Sequence, residues 1–160
     1  MNAPELQALR RFLSFSAAEA ARHLAADEDR PQGVEERTWN RWEAGRMPVP
    51  SNVAATVRQA VAFRETALQQ VTAAVMQAKQ EHGSPEQVVL LWYAELGDWP
   101  HQPVLWRPQQ SALAWSVAAS PDLIRLVAFD ARAFNLWRLA QSMADTSDAR
   151  AAWAGLQATD

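Results

Sequence analysis

Cysteine is absent from this 160-residue sequence. Its absence excludes a disulfide framework, a thiol nucleophile and thiolate ligands for a metal ion. Because a chain without disulfides suits a reducing compartment, we expect a cytoplasmic protein. The sequence also has no uncharged apolar run of about 18 residues and no apolar segment near its start, so it predicts neither a membrane span nor a secretory signal.

Patterns typical of catalytic and metal sites are missing as well. His23, His82 and His101 are far apart in the sequence, and none is next to a recognisable nucleophile or a second metal ligand. There is no glycine-rich phosphate loop and no His-x-x-x-His or Asp-x-Asp cluster. The acidic run 27–29 is more typical of a solvated turn than of a metal site. We therefore expect no enzyme, no catalytic residue, no cofactor and no metal.

Lysine is nearly absent, since Lys79 is the only one, and arginine supplies the remaining positive charge. The formal net charge is −3 and the isoelectric point is about 5.6. Residues 1–50 contain seven arginines and eight acidic residues. A nucleic-acid interface in this part of the chain would therefore need its positive charge concentrated on one face.

Two capping boxes predict the first two helices. Asn2 with Glu5, and Ser16 with Glu19, have the spacing at which each side chain accepts a hydrogen bond from the other residue's backbone. The second helix presents mostly alanine on one face, so it can approach a neighbouring helix closely. Segment 26–33, which contains a proline and a glycine, predicts a loop.

The stretch EERTWNRWEAGRMPVP, residues 35–50, predicts a third helix that begins at about residue 35 and ends at about residue 44. Trp39 and Trp42 fall on one face of that helix and are expected in the core. Gly45 is placed to take the left-handed position after the helix, and the two prolines that follow prevent its continuation.

The order of these elements predicts a DNA-binding module. A helix, a short alanine-rich helix, a turn and a third helix form the pattern of a helix-turn-helix, in which the third helix presents its outer face to the major groove. With the two tryptophans in the core, four side chains face outward as candidates for reading bases: Glu36, Arg37, Asn40 and Arg41.

The second part of the chain predicts more helix and one short ribbon. A long helix with apolar residues in steps of four and three begins at Ser51 or Asn52 and ends at the HGSP stretch, residues 82–85. It would link two modules or support a dimer. The β-prone segments 88–94 and 103–106 would pair as a two-stranded ribbon. Further helices are expected over the following segments: 109–120, 121–144 and 147–157.

Three blocks of the sequence together resemble the YdiL-like helix-turn-helix family, which includes anti-CRISPR-associated transcriptional repressors. In the order of the chain the blocks are NAPELQALR (2–10), RTWNRWEAGRMPVP (37–50) and LWRPQQSALAWSVAASPDLIRL (105–126). The resemblance covers most of residues 1–128. It implies an N-terminal DNA-binding module, a C-terminal module with a short sheet that dimerises, and repression of the protein's own operon at an inverted repeat.

The resemblance also implies roles for individual residues. Arg37, Asn40 and Arg41 match the family's base-reading face, and Arg46 matches a position where a phosphate contact is expected. Further phosphate contacts are expected from the hydroxyl groups of Ser16 and Thr38 and from helix N-termini. The expected dimer interface combines one tryptophan from the β-prone segment with four residues that match the third block: Trp92, Trp106, Arg107, Gln110 and Ser111.

This sequence departs from the family pattern in two places. The turn between the second and third helices is several residues longer, and its acidic run 27–29 would repel nearby phosphate. About 30 residues also follow Val127. Their apolar stripe is expected to add packing or to cover a dimer interface, and it consists of Phe134, Trp137, Leu139, Trp153 and Leu156.

These observations predict a mainly α (α+β) protein with three parts: a helix-turn-helix domain over 1–50, a linking helix over 51–82, and a dimerisation domain over 83–160. The expected function is a homodimeric, sequence-specific repressor that binds double-stranded DNA at an inverted repeat. Two alternatives stay open. One is an antitoxin-like module whose main partner is a toxin, and the other is a regulator that binds RNA.

Overall fold

The computed structural model describes residues 1–82 and 87–158, and in these ranges the fold is mainly helical, with one small sheet. The helices are α1 (Ala3–Phe12), α2 (Ala17–His23), α3 (Glu36–Glu43), α4 (Ser51–His82), α5 (Trp106–Ala119), α6 (Ala131–Ala140) and α7 (Ser147–Gln157). The strands are β1 (Val88–Trp92) and β2 (Ile124–Ala128). Among the described residues, no helix has the length and apolar content that a membrane span needs.

The two predicted capping boxes are confirmed. At the start of α1, Asn2 Oδ1 accepts a hydrogen bond of 2.9 Å from Glu5 N, and Glu5 Oε2 accepts one of 2.8 Å from Asn2 N. The same exchange opens α2, where Ser16 Oγ accepts from Glu19 N at 3.2 Å and Glu19 Oε2 accepts from Ser16 N at 2.8 Å. Each box satisfies two backbone donors that a helix start otherwise leaves unpaired.

The predicted end of α3 is also confirmed. Gly45 has a φ of +68°, and its N–H donates to Trp42 O at 3.1 Å. Arg46 N donates to Arg41 O at 2.9 Å. This pair of hydrogen bonds is the Schellman arrangement that a left-handed residue allows. The long helix α4 begins at Ser51 as expected, whereas the break expected at 82–85 lies largely outside the described residues.

The chain divides into two compact units, which are described separately below. Unit 1 comprises Met1–Ala67 and His101–Ala112, and unit 2 comprises Leu68–Pro100 and Leu113–Asp160. Helices α4 and α5 therefore each contribute residues to both units.

The core of unit 1 is formed by α1, α2, α3 and the first part of α4. Trp39 is fully buried, and its ring meets that of Trp42 edge to face with centroids 5.8 Å apart. An aromatic pair in this geometry contributes about 0.5–1.5 kcal/mol beyond the burial of its surface. Both tryptophans are thus in the core, as the helical spacing predicts. The largest buried aliphatic side chains around them are Leu6, Leu13, Leu24, Val53 and Val57.

The small sheet lies in unit 2 and differs from the predicted ribbon. Strand β1 pairs in parallel with β2, in a register that runs from Val88 opposite Ile124 to Trp92 opposite Ala128. A parallel pair needs a long crossover connection, and α5 lies within the connection between these strands. The prediction that 88–94 pairs with 103–106 is therefore wrong.

The segments behind this error have clear local reasons for their structures. Pro103–Leu105 forms one turn of 3₁₀ helix, with Leu105 N donating to Gln102 O at 3.0 Å, and α5 begins at Trp106. Segment 124–128, which the sequence analysis assigned to a helix, is instead strand β2. Ile124 and Val127 are both buried although they are three residues apart, so β2 packs on both of its faces, while Arg125 and Ala128 are exposed.

An aromatic cluster closes the core of unit 2. Phe129 meets Tyr93, Phe134 and Trp153 with ring centroids 5.0–5.7 Å apart. The guanidinium of Arg150 lies 4.7 Å from the centroid of the Phe129 ring. Of the stripe expected to pack in this region, Phe134 and Trp153 are buried, whereas Leu139 and Leu156 are exposed.

Candidate nucleic-acid interface

The outer surface of α3 collects most of the residues expected to contact DNA. We call it the α3 face and define it by the residues that line one open depression: Glu36, Arg37, Asn40, Arg41, Ala44 and Arg46. All of them are exposed. Arg37 Nη2 lies 3.8 Å from Glu35 Oε2, and 74% of the Arg37 side chain is exposed. Within the described residues, the guanidinium groups of Arg41 and Arg46 form no hydrogen bond and no ion pair. The structure thus brings the four base-reading candidates and Arg46 onto one surface.

A buried carboxylate fixes the opposite side of α3. Glu43 Oε1 accepts hydrogen bonds of 2.6 Å from Arg10 Nε and from Trp39 Nε1, and Glu43 Oε2 accepts one of 3.0 Å from Arg10 Nη2. Arg10 Nη1 also donates to Phe15 O at 2.9 Å. This network ties α3 to the end of α1, so the orientation of the α3 face is set by hydrogen bonds as well as by apolar packing.

The pKa of Glu43 reflects these contacts. Burial raises the pKa of this carboxyl, but the hydrogen bonds from Arg10 and Trp39 outweigh burial and hold it below its ordinary value. Only 6% of the Glu43 side chain is exposed. Its negative charge is therefore compensated within the core and adds little repulsion toward a polyanion on the α3 face.

A second ion pair supports the start of α2. Arg107 donates to Glu19 Oε1 from Nε at 2.9 Å and from Nη2 at 2.6 Å. Burial raises the pKa of Glu19, but the hydrogen bonds from Arg107 and Ser16 hold it below its ordinary value. Ser16 caps α2, and Thr38 is half-buried on α3. Neither hydroxyl residue lines the depression of the α3 face, so their phosphate contacts stay predictions.

Four of the five residues expected at a dimer interface lie in unit 1, three of them buried and Arg107 partly exposed. Trp106, Gln110 and Ser111 are buried, and the Arg107 guanidinium lies 4.1 Å from the centroid of the Trp106 ring. Within this part of the structure, Ser111 Oγ accepts a hydrogen bond of 2.9 Å from Arg64 Nε and donates one of 2.8 Å to Phe12 O. The fifth, Trp92, belongs to unit 2. Their role in a dimer stays a prediction.

The sequence did not reveal the ion pairs of Arg10 with Glu43 and of Glu19 with Arg107. One signal was available for the first pair. Arg10 lies four residues after buried Leu6, on the same face of α1, and Glu43 lies four residues after buried Trp39, on the same face of α3. A charged residue on an apolar helix face is expected to pair with a residue of opposite charge in the core. The sequence does not specify which two charged residues form that pair. Among the described residues, no group of three histidine, aspartate or glutamate side chains lies close enough to hold a metal ion.

The chain matches the model of the Aca2/YdiL-like family over residues 1–124. It belongs to this family. No curated protein matches the chain. Membership of the Aca2/YdiL-like family points to an anti-CRISPR-associated regulator, in agreement with the resemblance carried by the three sequence blocks.

The match covers the first segment of unit 1 and its return segment, 101–112, and it ends at the first residue of β2. In this member of the Aca2/YdiL-like family, α6 and α7 follow the matched region. The residues of the α3 face lie well within the match.

Proposed function

We propose that this protein is a sequence-specific transcriptional regulator that binds double-stranded DNA and has no enzymatic activity. It acts as a homodimer on an inverted repeat and represses its own operon. The observation that carries the proposal is the α3 face, where two arginines, an asparagine and a glutamate are exposed side by side on a helix whose other side is fixed in the core.

The chemistry of the α3 face matches that of base edges in the major groove. An arginine donates two hydrogen bonds to guanine, an asparagine pairs with adenine, and a glutamate accepts from the amino group of cytosine. Helix α3 has eight residues, about two turns. An α-helix with its side chains is about 10–12 Å across, which fits the width of the major groove, about 12 Å. We propose a phosphate contact for Arg46, which is exposed beyond the end of α3.

The distribution of charge supports the same proposal. The chain is acidic overall, but Glu43 and Glu19 are each paired with an arginine inside unit 1. Arg41 and Arg46 have no such partner among the described residues. Positive charge is therefore available on the α3 face although the net charge of the chain is −3.

The proposal is tested by selecting DNA from a random pool and titrating variants on the selected repeat and on scrambled duplex. Alanine at Arg37, Asn40 or Arg41 is expected to weaken binding to the repeat about ten- to hundredfold, because each lost base contact contributes about 1–3 kcal/mol of discrimination. Binding to scrambled DNA should change little. Arg46→Ala should weaken both and reduce the slope of log affinity against log salt by about one.

Arg58→Ala is the matched control, since Arg58 is an exposed arginine on α4 that does not line the α3 face. It should leave both affinities unchanged. If the three α3 variants lose affinity equally for repeat and scrambled DNA, the arginines form only an electrostatic patch and the base-reading role is wrong. A structured transcript leader that outcompetes duplex DNA would identify an RNA-binding regulator, and a stable complex with a toxin would identify an antitoxin.

A further inference from the structure

The loop between α2 and α3, residues 24–35, is held at two points in unit 1. At the first point, Asp27 and Arg30 exchange backbone hydrogen bonds of 3.2 Å. Asp27 Oδ2 also accepts from Arg30 Nη2 at 2.8 Å and from Asn52 Nδ2 at 2.9 Å. The hydrogen bond from the Arg30 side chain lowers the pKa of Asp27. The loop is thereby attached to the start of α4, and one of its acids is compensated.

The second point is Gly33, which has a φ of +73°. A Cβ atom at this position would lie only 2.2 Å from Ala21 O and 2.5 Å from Arg22 O. The next residue, Val34, donates its N–H to Ala21 O at 2.9 Å. The end of the loop therefore packs directly on the last turn of α2, and Gln32 and Arg22 line the same depression.

These residues form a second depression next to the α3 face. We call it the loop face and define it by its lining residues: Ala18, Arg22, Gln32, Gly33, Val34, Glu35 and Glu36. Glu36 belongs to both faces, so the two surfaces are continuous. Arg22 and Gln32 are exposed, and within the described residues neither side chain forms a hydrogen bond or an ion pair.

The chemistry of the loop face fits base edges better than phosphates. One guanidinium and one carboxamide lie with two carboxylates, so the local charge is negative and phosphate is repelled. The same groups match the base edges of the major groove, where arginine binds guanine, glutamine binds adenine and glutamate accepts from cytosine. We propose that the loop face is a second base-reading surface, which contacts the base pairs that adjoin those under α3. This inference rests on the proposed function.

The experiment selects duplex DNA from a random pool with the wild-type protein and with Arg22→Ala and Gln32→Ala. Both variants should keep the base preferences that depend on Arg37, Asn40 and Arg41 and lose preference at the adjoining pairs. Affinity for the wild-type site should fall about tenfold, the size of one lost bidentate base contact. On a DNA site in which the adjoining base pairs are scrambled, both variants should bind with the same affinity as the wild-type protein.

Arg58→Ala and Gln59→Ala are matched controls, because both residues are exposed on α4 and line neither face. Both should reproduce the wild-type selection. Unchanged preferences in the Arg22 and Gln32 variants overturn the inference and leave the proposed function intact. Equal loss on every DNA, with a flatter salt dependence, also overturns it, because that result identifies a phosphate contact. A wild-type protein that selects no duplex at all overturns the proposed function itself.

Discussion

Glu43 shows how a single buried charge fixes the orientation of the α3 face. Its carboxylate accepts hydrogen bonds from the guanidinium of Arg10 and the indole N–H of Trp39, while the side chains of the α3 face are exposed on the other side of the helix. Removing one partner of a buried ion pair costs about 3–5 kcal/mol because the other charge stays buried without compensation. An exposed pair such as Arg37 with Glu35 contributes only about 0–1 kcal/mol.

We therefore predict that Glu43→Gln lowers the free energy of unfolding by about 3 kcal/mol. Glu35→Gln, the exposed control, should change it by less than about 1 kcal/mol. Urea titration at neutral pH measures both values. Similar losses in the two variants would mean that the buried network does not stabilise unit 1.

Glu43→Gln also tests the direction in which the stability of the protein changes with pH. The pKa of Glu43 in the folded protein lies below the 4.5 expected of an unfolded chain. Its contribution is therefore fully present above about pH 4.5 and is lost as the pH falls through the folded pKa. The wild-type protein should lose stability on acidification, and Glu43→Gln should lose less over the same range. An identical acid profile for the two proteins would contradict this account.

At the scale of elements, nearby residues determine where the helices end, whereas the loop between α2 and α3 is fixed by its close contact with α2. Two glycines with positive φ, Gly33 and Gly45, separate these effects. A Cβ at Gly45 would meet only Ala3 Cβ at 3.8 Å, whereas at Gly33 it would overlap backbone carbonyl oxygens. Gly45→Ala thus adds only conformational strain, and Gly33→Ala adds strain and a backbone clash.

We predict that Gly45→Ala costs about 1–2 kcal/mol, the strain of a left-handed alanine. Gly33→Ala should cost clearly more, because the loop must leave α2 to accommodate the methyl group. Thermal unfolding of both variants provides the comparison. Equal shifts of the midpoint would show that the contact of the loop with α2 contributes nothing to stability.

Elements that depend on nearby residues could be predicted from the sequence, whereas those that depend on residues far along the chain could not. Capping residues at Asn2 and Ser16, and Gly45 after α3, act within one or two helical turns, so the sequence predicts these boundaries. Strand β2 has no such signal, since segment 124–128 is compatible with helix until its partner β1, 36 residues earlier, supplies the hydrogen bonds. Helical spacing predicted which side chains lie on the α3 face. The Arg10–Glu43 pair could not be predicted in this way, because its two residues are 33 apart in the sequence.

At the scale of the whole molecule, the proposed dimer needs an exposed apolar surface. The four residues of unit 1 that matched the third block, three buried and one partly exposed, make contacts within one chain, so they are weaker candidates for the interface. Helix α6 offers a better one, because Leu136 and Leu139 are 65% and 64% exposed. Two exposed leucines one turn apart form an apolar patch, and the core of an interface is more apolar than the rest of a protein surface.

We predict a mass of twice 17.8 kDa for the full chain at micromolar concentration, measured by light scattering. Leu136→Glu combined with Leu139→Glu should give the mass of a monomer, since charged residues are depleted from interface cores. Arg132→Glu, an exposed change of charge on the same helix, should leave the dimer intact. A monomeric wild-type chain contradicts the dimer, and a dimeric double variant places the interface elsewhere.

The return of the chain to unit 1 after residue 100 has a consequence for its synthesis. Arg107 and Ser111, the partners of Glu19 and Arg64, leave the ribosome only after the whole of segment 68–100. The first unit therefore cannot be completed until residues 101–112 have emerged, whereas a domain that is continuous in sequence can fold as soon as its own segment has been made. A chain terminated at residue 100 would lack both contacts. Premature products that end at or before residue 100 are therefore expected to form a less stable unit 1 than the full chain does.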